Sequence, residues 1–199
     1  MEIFISTFLK IFFLMTPFFV LTMFLTITQD ATIRQRKALA IKVTISVTII
    51  SLILLFFGKH IFSIFGITLD AFRIGAGALL FLTAVDLVKG TEHTSKVGHK
   101  DISQVAVVPL SIPMIIGPGT TGILLVMGAT FDNTSSMFMG SLSLLLAVLS
   151  IGLMLYTSSF LEKIMGKNGL QVISKITGLI LAALSAQIVF TGIKNFLGL

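Results

Sequence analysis

The chain has 199 residues, 55% of them hydrophobic and only 11% charged, with a mean hydropathy of +1.07. Soluble domains carry roughly 25% charged residues, so this balance excludes an ordinary soluble domain and points to a membrane. Cysteine is absent, which removes disulfides, thiolate metal sites and a cysteine nucleophile, and the formal net charge of +6 is spread over loops between apolar runs, with no basic domain to carry a nucleic-acid partner.

The first apolar run, from about Ile5 to Thr28, begins Met-Glu, holds Lys10 inside the run and has no small-x-small cleavage site after it. It therefore reads as a retained helix, not a signal peptide. Spans of about 20 apolar residues follow at Leu39 to Phe65, Ala71 to Val88, Ser103 to Ala129, Met137 to Leu161 and Leu170 to Phe196. The expected fold is all-α, a single transmembrane domain over residues 1–199 with six helices. Repeat one covers about 1–90, a loop about 90–102, and repeat two about 103–199.

Basic residues set the orientation. Arg34, Arg36 and Lys37 follow the first span, Lys89, Lys96 and Lys100 the third, and Lys163 and Lys167 the fifth. Lys59 and Lys194 face the other way. The positive-inside rule puts the three basic loops in the cytoplasm and both termini outside.

Shifting the chain by about 102 residues lays the third span on the sixth. Arg73-Ile falls on Lys175-Ile, Ala84 on Ala186 and Gly90 on Gly192, with Gly77 close to Gly178. A shift one residue smaller lays Thr16-Pro17 on Gly117-Pro118. Three spans per repeat is an odd number, so the two halves run in opposite orientations. Interrupted helices at matching positions of inverted halves are the sequence pointer to a midplane binding site.

The interruptions are Pro17, between Thr16 and Thr22, and the run Gly117-Pro118-Gly119-Thr120-Thr121. Pro17 alone reads as a kink whose carbonyls bond threonine hydroxyls. The glycine-proline run reads as a true break, since the helix is disrupted at several adjacent positions. A break exposes N–H groups at one half-helix and carbonyls at the other, which suits a zwitterion without any buried charged side chain. Gly75, Gly77, Gly90, Gly178 and Gly192 read as close helix packing. Asp86 reads as an interfacial carboxylate paired with Lys89 or, more sharply, as a gate or proton-coupling residue. Arg73 and Lys175 start their spans as snorkelling cations. Gln187 lies inside the sixth span and needs a partner, another helix or a substrate. Glu92, His93, His99 and Asp101 make a weak metal set better explained as a loop. With no Ser-His-Asp order, paired intramembrane carboxylates or His-Glu-x-x-His, an enzyme is not expected.

Two stretches carry a family resemblance. They are Leu69-Asp-Ala-Phe-Arg-Ile-Gly-Ala-Gly-Ala-Leu-Leu-Phe-Leu-Thr-Ala-Val-Asp86 and Val108-Pro-Leu-Ser-Ile-Pro-Met-Ile-Ile-Gly-Pro-Gly119. The chain resembles the MarC family of bacterial inner-membrane proteins, also called the neutral amino acid transporter family, over nearly its whole length. It departs from the family pattern of Asp or Asn, Pro, any residue, Gly and Asn, where it has Thr16, Pro17, Phe18, Phe19 and Val20. The resemblance implies a transporter. A SnatA-like member would move glycine and alanine with protons.

The resulting expectation is a multi-pass inner-membrane transporter of small neutral amino acids, working by alternating access. Its substrate site is Thr16, Pro17, Thr22, Gly117, Pro118, Gly119, Thr120, Thr121 and Gln187, with Asp86 and Arg73 for coupling or gating. No cofactor or metal is expected, proton or sodium coupling and homo-oligomer formation are left open, and the lipid bilayer is the standing partner. A pore for ions or small polar solutes, or a non-transporting structural partner in the membrane, are the alternatives.

Overall fold

The computed structural model describes residues 2–90, 111, 115–131 and 133–198. These residues form α1 (Glu2–Leu14), α2 (Pro17–Ile27), α3 (Ile33–Phe65), α4 (Leu69–Lys89), α5 (Pro118–Thr130), α6 (Thr134–Tyr156) and α7 (Ser158–Phe196). Among them five stretches are long and apolar enough to cross a membrane: Phe4–Ile27, Ile33–Gly58, Leu69–Lys89, Thr134–Tyr156 and Asn168–Phe196. The fourth expected span is represented by α5, whose 13 residues make a rod of about 20 Å against a hydrocarbon core of about 30 Å. Apart from Ser111 and residues 115–117, the rest of that span, and the segment Glu92–Asp101 with its candidate metal set, lie outside the described residues.

The helix ends follow from local chemistry. Thr32 starts α3 with a reciprocal cap, its hydroxyl accepting from the Gln35 amide while Gln35 accepts from the Thr32 amide. Asn133 and Ser136 do the same for α6. Two boundaries differ most from the sequence reading, the second span starting at Ile33 instead of Leu39. The fifth span ends at Tyr156, not Leu161, and α7 starts at once from Ser158. It bends at Gly166, whose φ of 63° and ψ of 168° fall where only glycine sits without strain. Residues 158–165 are thus a short helical arm ahead of the sixth span.

Helices α4 and α7 form an antiparallel pair with close backbone approach. At Gly77 a Cβ would lie 2.6 Å from Val189 Cγ2 and 3.3 Å from the Ser185 carbonyl. At Gly178 it would lie 3.0 Å from Val88 Cγ2 and 3.1 Å from the Ala84 carbonyl. Gly77, Ala84 and Val88 thus match Gly178, Ser185 and Val189 at one constant offset, one residue less than the span-on-span shift read from the sequence. Gly192 packs on the backbone of Asp70. Gly75 meets nothing within 4 Å, so its expected packing role is not found, because it lies on the exposed face of α4.

Helix α5 runs between α3 and α4. Its Gly128 meets the backbone of Leu55, and Gly58 on α3 meets the backbone of Leu125 in return. Gly122 seats on Ala76 and Gly119 on the backbone of Leu80. A small apolar cluster of Leu14, Leu80, Leu87, Ile123 and Leu181, with Phe19 against it, ties α1, α2, α4, α5 and α7 together at mid-height.

Candidate functional site

Pro17 and Pro118 each occupy the first position of a helix, where a missing N–H costs nothing. The chain entering each is non-helical: Thr16 has φ 49° and ψ 56°, Gly117 φ −75° and ψ 174°. The first span is thus interrupted ahead of Pro17, where the sequence alone reads as a kink, and α5 begins at Pro118. Thr16 is among the described residues the one non-glycine with positive φ. A β-branched side chain there is strained, by about 1–2 kcal/mol.

The broken backbone at Thr16 is satisfied piece by piece. The Phe13 carbonyl, which a residue other than proline at 17 would have bonded, accepts instead from the Thr16 amide at 3.0 Å. The Leu14 carbonyl accepts from the buried Thr120 hydroxyl at 3.2 Å. That bond joins the first break to the second, so the two interruptions meet in the interior. At the second break the Thr121 amide donates to the Gly117 carbonyl at 2.8 Å, and the Ile116 amide to the Ser111 carbonyl at 3.0 Å. The amides of Gly119 and Thr120 precede the first intrahelical bond of α5 and point out of its ladder.

A cavity lies on either side of this junction. The first, about 300 Å³, is bounded by Lys10, Leu14, Arg73, Ile123, Gln187 and Thr191 among others. The second, about 540 Å³, is bounded by Phe19, Thr22, Arg36, Asp86, Ser174 and Lys175 among others. The apolar cluster is the floor of both: Leu14 and Ile123 face the first cavity, Phe19 and Leu87 the second.

The candidate residues thus divide into three places. Thr16, Pro17, Gly117, Pro118, Gly119, Thr120 and Thr121 make the junction itself. Thr16, Pro17, Gly119 and Thr120 are buried there, Gly117 and Thr121 partly so, and Pro118 is exposed. Gln187 and Arg73 share the first cavity, and Thr22 and Asp86 share the second. Arg73 and Asp86 do not come together, since thirteen helical positions on α4 separate them by about 20 Å. Arg73 is held by Asp70 at 2.7 Å, and Asp70 also accepts from the Asn195 amide nitrogen at 3.3 Å. Thr22 spends its hydroxyl on the Phe18 carbonyl at 2.9 Å, in its own helix.

Two features had no place in the sequence reading. Lys10 lines the first cavity, and its only local signal was a base inside an apolar run. Arg36 gathers three elements. Its guanidinium donates to the Thr28 carbonyl at 3.0 Å and the Gln29 carbonyl at 3.3 Å, beyond the end of α2. It also reaches Ser159 at 3.4 Å and Glu162 at 3.6 Å on the short arm of α7. No local pattern announces a pairing across more than a hundred residues.

The known proteins that this chain resembles are membrane proteins. The family model described as MarC family integral membrane protein matches residues 1–197. A UPF0056 membrane protein of Methanocaldococcus jannaschii is 36% identical over 158 residues, covering 76% of this chain and 69% of that one. A UPF0056 membrane protein of Buchnera aphidicola is 32% identical over 97% of this chain and 93% of its own. YhcE of Escherichia coli, also a UPF0056 membrane protein, is 30% identical with the same coverage of each. No solved structure matches. A family match along almost the entire chain, with relatives of this identity and coverage, means that the chain belongs to the MarC family of integral membrane proteins.

Proposed function

We propose that this protein is a secondary transporter of small neutral amino acids that works by alternating access about the two helix breaks. The observation that carries the reading is the Thr120–Leu14 hydrogen bond, which brings the two interruptions together with a separate cavity on either side. A solute passing from one cavity to the other must cross the junction, where backbone groups released by Thr16 and Gly117 lie. The α5 amides suit a carboxylate and the α1 carbonyls an ammonium, so an alanine- or glycine-sized zwitterion fits the chemistry. The intervening leucines and Phe19 argue against a continuously open pore.

Two inverted three-helix repeats are part of this reading. It is supported by the reciprocal contacts of α4 and α7, and by the matching proline starts of α2 and α5. The positive-inside rule then turns the second cavity, with Arg36, Lys89 and Lys175, to the cytoplasm of an inner membrane, and the first outward. Asp86 in the second cavity is the carboxylate we assign to coupling, with a proton as the coupling ion.

The test is counterflow of labelled alanine and glycine in proteoliposomes, with and without a pH gradient. Saturable counterflow driven uphill by the gradient is expected, and Asp86→Asn should keep the counterflow and lose the drive. Flux that neither saturates nor exchanges would replace the transporter with a pore.

A further inference from the structure

Lys10 lies on α1 eight positions after Glu2, about 12 Å along the helix, at the level of Arg73 near the start of α4 and Thr191 near the end of α7. Among the described residues the ion pairs are Arg36–Glu162 and Arg73–Asp70, and Lys10 is in neither. Arg73 is neutralised by Asp70, which leaves Lys10 as the uncompensated positive charge of this cavity. Its side chain also borders a second space. An apolar groove of about 510 Å³ runs between α1 and α7 along Ile5, Leu9, Phe13, Ile180 and Leu184, with Ser6 beside Lys10. Lys10 and Leu184 line both spaces, so the groove and the polar cavity adjoin at these two side chains.

The groove is apolar on nearly all its surface and opens outward from a helix pair whose neighbours Ile5 and Leu9 are themselves exposed. Because α1 and α7 are antiparallel to one another in depth, Phe13 and Ile180 lie deeper than Lys10 and Leu184. One end is therefore a cation six positions inside the first apolar stretch, its flexible side chain able to reach up toward the headgroups, with a hydroxyl beside it. The other end is a hydrocarbon-lined slot leading toward the middle of the bilayer.

We infer that Lys10 and the α1–α7 groove form a binding site for an anionic phospholipid, its phosphate on Lys10 and one acyl chain along Leu9, Phe13 and Ile180. Charge complementarity selects the anionic head, and an unpaired lysine at a membrane surface favours such a lipid about fivefold over a zwitterionic one. The acyl chain replaces the lipid contacts that the groove would otherwise leave poorly filled. The site does not depend on the transport reading, since no residue of the junction takes part.

The experiment is native mass spectrometry of protein released from bilayers of phosphatidylcholine doped with phosphatidylglycerol. Wild-type protein should retain the glycerol lipid about fivefold over its share in the bilayer. Lys10→Gln should lose that preference, Lys10→Arg should keep it, and Leu9→Trp, which fills the slot and leaves the charge, should lose bound lipid altogether. Gel filtration of each variant checks that it is folded. Equal retention by wild type and Lys10→Gln overturns the site. Full retention by Leu9→Trp, or displacement of the lipid by soluble glycerol phosphate at matching concentration, overturns the lipid assignment and leaves a site for a free anion.

Discussion

Helix α5 carries Gly119, Gly122 and Gly128 on faces that meet Leu80, Ala76 and Leu55, while α2, from Pro17 to Ile27, contains no glycine. Both begin with proline just after a break, and each is a half-length rod. Their surroundings differ. Helix α5 is clamped between α3 and α4 by backbone contacts, and backbone does not yield. Helix α2 is held by side chains, with a cavity of about 540 Å³ along Phe19, Thr22 and Thr26, and by Arg36 at its far end. A rod seated on side chains moves by rotamer change, whereas one seated on backbone moves only with its scaffold. If the proposed alternating access holds, α2 is the half-helix expected to move and α5 the one expected to stay.

The hardest way to break this contrast is to overfill the clamp. Gly128→Val pushes side-chain carbons into the Leu55 backbone and should cost about 3 kcal/mol or more, read as loss of monodisperse protein or a large drop in melting temperature. The same applies at Gly119, against Leu80, so valine there tests packing before it tests any substrate site. Next is the bond that joins the two breaks. Thr120→Val keeps the shape, leaves the Leu14 carbonyl without its partner, and should cost about 1–3 kcal/mol, with Thr121→Val beside it within about 0.5. Equal losses in the two variants would remove the junction from the argument. Thr16→Asn should raise stability by about 1 kcal/mol, because asparagine accepts the left-handed backbone better than threonine. The smallest effect is expected at Arg36→Gln, about 0.5 kcal/mol from lost bonds to the Thr28 and Gln29 carbonyls. If α2 is the moving rod, that variant changes transport rate far more than melting temperature.

Those comparisons also mark how far the chain could be read unaided. Both Pro17, read as a kink, and Pro118, read as a break, are legible because proline acts locally, fixing φ and removing a donor wherever it stands. The glycines of α4 and α7 were legible as packing in kind but not in place. Gly77 meets Ser185 and Val189 and Gly178 meets Ala84 and Val88, each facing the partner helix, while Gly75, two positions from Gly77, faces outward. The apolar Leu161 makes the fifth span read too long, although Thr157-Ser158-Ser159 is the punctuation that ends α6. Thr16 was singled out for its hydroxyl, and its left-handed backbone gives a physical reason why the family pattern has Asp or Asn there. The meeting of Lys10, Arg73 and Gln187, from three helices, had no local signal, since only packing sets which faces converge.

The bond between Thr120 and the Leu14 carbonyl spans 106 positions of chain. A ribosome making about 5–20 residues per second reaches Thr120 roughly 5–20 s after Leu14. Through that interval the first helix, already apolar enough to enter the bilayer, has a carbonyl at its break whose final partner does not yet exist. Water, lipid headgroups or the insertion machinery must satisfy it in the meantime. The first half of this protein is therefore committed to the membrane before it is finished, and a truncation anywhere ahead of residue 120 should yield a first span that is inserted but not settled.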